Sequence, residues 1–218
     1  MYFESRAEAG EKLASELFEK YRFEDCAVVA LNDGGILVGE PVAARLHSVL
    51  VMIVSEDIEI PGESLMIGGV SQNGNFVRNS FMTQGEFEGY QNEFFGYFEQ
   101  LKRESFQKIN RLLGEGGTIE LDLLRDRNII LVSDGLSEKS SIDVAIDFLK
   151  PVRYKKLIVI SPVASVATID RLHITADELH VLDVKANYLD TSHYYDDNNI
   201  PSHEESVKKI NDIILNWQ

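Results

Sequence analysis

The feature that most restricts this chain is its alternation of short, unbroken apolar runs with stretches of helical periodicity. Cys26-Ala27-Val28-Val29-Ala30-Leu31, Val49 to Val54 and Ile129-Ile130-Leu131-Val132 (behind Asn128) are such runs. They have the pattern of strands buried on both faces, which occur almost only in parallel sheets covered by helices. Lys156 to Ser161 and Glu178 to Val184 add two further strands. Around them, Leu13, Ala14, Leu17, Phe18 and Tyr21 recur at helical spacing behind a Ser5/Glu8 capping signature. Ile142, Ala145, Ile146 and Leu149 mark another helix, and Ser165 to Leu172 a short one. Ser202 with Glu205 repeats the capping signature ahead of Val207, Ile210, Ile213, Ile214 and Trp217. The predicted architecture is α/β, a doubly wound and mostly parallel sheet joined by right-handed crossovers.

The elements between the second and third runs differ. Ser55 to Glu63 reads as a loop holding Glu56, Asp57, Glu59 and Glu63 without a base. Leu65–Ser71 and Asn75–Phe81 form a predicted hairpin across Gln72-Asn73-Gly74, since Asn-Gly favours the turn. Residues 86–113 read as one long helix or two broken ones, with Gly114 to Gly117 ending them. The helix after Asn32-Asp33-Gly34-Gly35 is expected to carry Pro41 in its first turn. One domain over residues 1–218 is expected, with 82–117 a helical insertion.

Bulk properties exclude several classes. The chain has 218 residues, is 44% hydrophobic and 26% charged, and carries a formal net charge of −15. That charge opposes general nucleic-acid binding and adsorption to anionic lipid. Cys26 has no cysteine to pair with, and the charged start lacks the apolar run of a signal peptide, so a cytoplasmic location is expected. No segment has the roughly 20 apolar residues of a membrane span. Cys26 lies within a strand and reads as core. The five histidines show no metal-ligand spacing. The aromatic stretch Phe87, Tyr90, Phe94, Phe95, Tyr97, Phe98 fits lobe packing or a homodimer contact, both of which stay open.

Ligands of doubly wound sheets sit beyond the carboxyl ends of the strands. Three loops are thereby singled out: residues 32–35, 55–63 and 133–141. With the helix Ser5-Arg6-Ala7-Glu8-Ala9-Gly10, the helical segment between them and the tail His193-Tyr194-Tyr195-Asp196-Asp197 with Glu204-Glu205, they resemble a type I phosphoribosyltransferase. The resemblance spans nearly the whole chain. It implies that fold with a helical hood, and transfer of ribose 5-phosphate from phosphoribosyl pyrophosphate to a nitrogen nucleophile, with Mg²⁺ as cofactor and a small sugar phosphate as partner. It also implies a ribose and phosphate loop at Ser133, Asp134, Gly135, Ser137, Glu138, Lys139, Ser140 and Ser141, and a pyrophosphate loop at Asp33, Gly34 and Gly35.

The chain departs from the family at each loop. Ser133 replaces one of the paired acids that hold the ribose hydroxyls, and Glu138-Lys139 replaces a Thr-Gly pair. Asp33 stands where a basic residue is usual, and Ser55-Glu56 where an Arg-Lys pair is usual. At an effective dielectric near 20, two unit charges about 4 Å apart repel by roughly 4 kcal/mol, so Glu138 opposes a phosphate. As an alternative, Glu138 in the first turn of a helix would simply complement the dipole. Three readings follow: a family member with lost or altered transfer, an active Mg²⁺-dependent transferase, and a divalent-cation binder using Glu56 and Asp57. On the first, replacing Glu138→Thr with Lys139→Gly is expected to restore some phosphate affinity.

Overall fold

The computed structural model describes residues 2–60, 66–114 and 116–217. Glu63 and Leu65, named above, lie outside them. The chain divides into two compact units, one of Met1–Met52, Gly117–Ser137 and Val152–Gln218, the other of Ile53–Gly116 and Glu138–Pro151.

The first unit is built on a five-stranded parallel sheet. Its strands are β1 (Cys26–Ala30), β2 (Val49–Met52), β6 (Asn128–Val132), β7 (Lys156–Ser165) and β8 (Glu178–Lys185), in the order β2-β1-β6-β7-β8. Every residue of β1 and β6 is buried, as their apolar runs require. Burial also pushes the Cys26 thiol up to about 11, so it is core. Helices α1 (Arg6–Tyr21), α2 (Asp33–Arg45), α6 (Val166–Thr175) and α7 (His203–Asp212) belong to this unit. Ser5 caps α1 by accepting from the Glu8 N–H, and at Ser202 the full reciprocal box with Glu205 forms.

The second unit is an antiparallel sheet, β3 (Ser55–Glu59), β4 (Met66–Ser71) and β5 (Phe76–Arg78), in that order. Its helices are α3 (Gln84–Glu93), α4 (Phe95–Gly114) and α5 (Ser141–Leu149). The Asn73-Gly74 turn forms as predicted, with Gly74 at φ +78°. The 86–113 segment is two helices broken at Phe94. Phe76, Phe87 and Phe98 pack ring to ring, with centroids 4.9–6.0 Å apart. Phe95 and Tyr97 are 60% and 42% exposed.

Several expectations are corrected. Pro41 lies well inside α2 and gives up a bond to the Leu37 carbonyl. Residues 55–59 are an edge strand rather than a loop, with Ile58 buried and Glu59 exposed at the rim, where charge discourages further pairing. β7 runs four residues past Ser161, to Ser165, which caps α6. Ile213 is buried, but Ile214 is 60% exposed because the last turn tightens to a 3₁₀ helix over Ile213–Asn216. Among the described residues no helix is long and apolar enough to cross a membrane.

Candidate functional site

In the first unit the strand order reverses between β1 and β6, the topological switch point where a crevice forms in open parallel sheets. The residues following these strands are Asn32 to Gly35 and Ser133 to Ser137. Asn32 caps α2 through its Oδ1, which accepts from the Gly35 N–H at 2.6 Å. Its Nδ2 donates to Asp134 Oδ1 at 2.9 Å. The other Asp134 oxygen accepts from Arg6 Nε at 2.7 Å. The Arg6 and Asp134 side chains are only 1% and 4% exposed. The Arg6 guanidinium stands 4.4 Å from the Tyr195 ring centroid, and Tyr195 Oη donates to the Asp134 carbonyl at 2.5 Å. Burial, reinforced by the Asp134 charge, pushes the Tyr195 phenol far above its ordinary value.

The loop behind Asp134 is equally committed. Ser133 Oγ donates to the Gly135 carbonyl at 2.9 Å and accepts from the Gly135 N–H at 3.3 Å. The Leu136 N–H donates to the Val163 carbonyl at 2.9 Å, holding Leu136 as a strand-like bridge to β7. Above Gly135 sit Tyr188 and Thr191. A Cβ at position 135 would lie 2.3 Å from Tyr188 Oη and 2.8 Å from Thr191 Oγ1. Burial pushes the Tyr188 phenol up to about 12.

The boundary between the units falls after Ser137, and the remaining loop residues belong to the second. Glu138 and Lys139 are exposed there. The Ser140 hydroxyl is fully buried and donates to the Asp57 carboxylate, which burial pushes up. Ser141 opens α5, whose first-turn acid is Asp143, bonded to the Ser80 N–H and hydroxyl. Glu138 therefore stands outside the helix, not in its first turn, and the dipole does not account for it.

Gly34 and Gly35 are buried in the first turn of α2. A Cβ at position 34 would meet Asp134 Oδ2 at 2.2 Å, so glycine here lets the helix approach the Arg6–Asp134 pair. Asp33 faces His203, with 3.9 Å between Oδ1 and Nδ1. Glu56 pairs with Lys108 at 2.8 Å whereas its neighbour Asp57 holds Ser140. Successive strand residues point to opposite faces, so these two carboxylates do not converge. Among the described residues no group of three or more His, Cys, Asp or Glu side chains does. Mg²⁺, implied by the family resemblance, does not fit at Asp134: both oxygens are taken, and the nearest charge is the buried Arg6 guanidinium.

A groove of about 860 Å³ opens beside Arg6, between α1, α2 and α7. Its acids Glu40, Asp197, Glu205 and Asp212 outnumber Arg6, Lys208 and Lys209, and Glu40 is paired to Lys209 at 2.6 Å. A polyanion gains no net attraction there. Arg6, Asn32 and Tyr195 were not picked out in sequence as members of this cluster. Only Asn32 carried a usable signal, its place one residue before a helix.

No protein-family profile matches the chain. The protein TT1426 from Thermus thermophilus superposes with a TM-score of 0.72 at 23% identity, covering 100% of both chains, a likeness of fold. Adenine phosphoribosyltransferase from Thermoanaerobacter pseudethanolicus gives a TM-score of 0.44 at 14% identity, over 81% of this chain and 78% of that one. Purine phosphoribosyltransferase from Pyrococcus horikoshii gives 0.47 at 13%, over 89% and 90%. The last two likenesses are too slight to bear on function.

Proposed function

We propose that this chain is a type I phosphoribosyltransferase-family protein in which phosphoribosyl pyrophosphate-dependent transfer is lost or altered, its crevice being filled by its own side chains. The observation that carries the reading is the state of Asp134. This is the acid that the family resemblance assigns to the ribose hydroxyls, and both its oxygens are occupied, by Arg6 at 2.7 Å and Asn32 at 2.9 Å. A sugar phosphate entering there has to separate a buried ion pair. Uncoupling such a pair costs about 3–5 kcal/mol, or roughly two to three and a half orders of magnitude in affinity. The loop offers little in return, because the Gly135 and Leu136 amides and the Ser133 hydroxyl already have partners.

A second reading, an active Mg²⁺-dependent transferase acting on a nitrogen nucleophile, rests on Asp134-Gly135 standing at the carboxyl end of β6 beside the switch point. It requires Arg6 to leave Asp134 first. Titration calorimetry with phosphoribosyl pyrophosphate, with and without Mg²⁺, tests the proposal. The expected result is no saturable heat in either case, and saturable Mg²⁺-dependent binding would replace the first reading with the second.

A further inference from the structure

The residue that most clearly departs from a phosphate loop, Glu138, lines a cavity of its own. This cavity, of about 330 Å³, lies wholly within the second unit. It is lined by Phe81, Tyr90, Met66, Met82, Glu86 and Glu138. Asn79, 4% exposed, forms the remaining wall and fixes the others. Its Nδ2 donates to the Met66 and Glu138 carbonyls, at 3.1 Å each, and its Oδ1 accepts from the Phe81 N–H at 3.0 Å. The Met82 N–H donates to the Asn79 carbonyl at 3.1 Å. Four lining residues are thus tied to one buried residue, three through its side-chain amide and Met82 through its main-chain carbonyl, which makes the cavity a built feature of this unit.

Its electrostatic character is one-sided. Among the described residues its lining includes Glu86 and Glu138 and no basic residue. Glu86 engages Thr83 through Oε2 alone, at 2.6–2.8 Å, and those bonds hold its carboxyl below the ordinary range. The Glu138 carboxylate has no hydrogen bond or ion pair among the described residues. Arg78 directs its guanidinium to the Met82 carbonyl and is not part of the wall. Aromatic faces attract cations, most of all when desolvated, and polarisable thioethers pack well against methyl groups. A hard metal ion calls for convergent oxygen ligands, which two separated carboxylates among rings and thioethers do not supply. The volume lies at the low end for small-molecule sites, too small for a nucleotide.

We propose that this cavity binds a small organic cation of the alkylated-ammonium class, with Phe81 and Tyr90 on its apolar faces and Glu86 and Glu138 neutralising its charge. The Glu138 that repels phosphate then has a positive role, and the proposal stands whether or not the crevice of the first unit binds a sugar phosphate. The test is a titration of the full chain with choline, by calorimetry or ligand-observed NMR. The comparison ligand is its uncharged analogue, the alcohol with tert-butyl in place of trimethylammonium. Choline is expected to bind saturably and at least roughly tenfold tighter than the neutral analogue. Glu138→Gln and Tyr90→Leu are each expected to weaken choline roughly tenfold, with Glu138→Gln leaving thermal stability unchanged because the side chain is exposed. Equal binding of both ligands would reduce the cavity to an apolar void. Absence of choline binding, or full affinity in Glu138→Gln, would overturn the proposal outright.

Discussion

Arg6 and Asp134, 128 residues apart, meet through a 2.7 Å hydrogen bond, with both side chains almost completely withdrawn from water. A pair of this kind is a weak source of stability compared with an apolar replacement, yet it is costly to break from one side. Arg6→Met is therefore expected to destabilise the chain by about 3–5 kcal/mol, leaving a buried carboxylate unpaired. Asp134→Leu is expected to do the same from the other side. The double variant should recover most of the loss, and urea unfolding of all four proteins reads this directly. Additive losses in the double variant would mean that the two groups do not act as a pair.

The phosphate loop gives a second expectation. Restoring the family's residues by Glu138→Thr with Lys139→Gly removes a repelling charge, and on sequence alone some phosphate affinity should return. The structure changes that expectation. The Gly135 and Leu136 amides are bonded to Ser133 and Val163, and the Ser140 hydroxyl to Asp57. The double variant should gain no measurable affinity for inorganic phosphate by ³¹P NMR titration. A gain would show that charge alone, and not committed donors, kept the anion out.

The fold was legible because its evidence is local. Five-residue runs such as Cys26–Ala30 and Asn128–Val132 carry the signature of doubly buried strands, and Ser5, Ser202 and Gly74 mark their helix starts and turn without outside help. The contents of the crevice were not legible. Arg6 resembles any first-turn arginine, and nothing near it in sequence says that it will be buried against residue 134. Glu138 was legible as a departure but not in its placement, because the helix starts at Ser141, later than its neighbours imply. Pro41 and the strand at Ser55–Glu59 show the limit of propensity: pairing with β4 decided the second against its charge.

Alkaline stability should follow the buried phenols. Burial raises Tyr21, Tyr188 and Tyr195 above their ordinary value of 10.0, Tyr188 to about 12. For an acid whose neutral form is favoured in the fold, the stabilisation is complete below the unfolded value. It is lost as pH rises through about 10 towards the folded ones, because the unfolded chain releases its protons first. Urea midpoints are expected to hold level to about pH 9 and then fall. The phenolate absorbance of these three tyrosines should appear together with unfolding. Smooth titration of all eight tyrosines near pH 10 in the folded protein would contradict their burial.

Glu178 sets the acid limb. Burial works against its charge, but hydrogen bonds from Lys20, Tyr21 and Lys156 prevail and bring its carboxyl from 4.5 down to about 2. A depressed carboxyl contributes stability above its unfolded value and loses it as pH falls, here between about 4.5 and 2. Glu178→Gln should flatten that part of the stability profile while reducing stability at neutral pH. An unchanged acid limb in the variant would assign the loss to other carboxylates.

Phe3 is joined to the tail at both edges: its N–H donates to the Tyr194 carbonyl at 2.9 Å, and its carbonyl accepts from the Asp196 N–H at 3.0 Å. Tyr195, between them, closes over Asp134 from 61 positions further along. During synthesis, then, Asp134 emerges 61 residues before the tyrosine that covers it. At ribosomal rates of about 5–20 residues per second, that delay amounts to roughly 3–12 s. For those seconds the Asp134 carbonyl is without the phenol hydroxyl that covers it in the finished molecule.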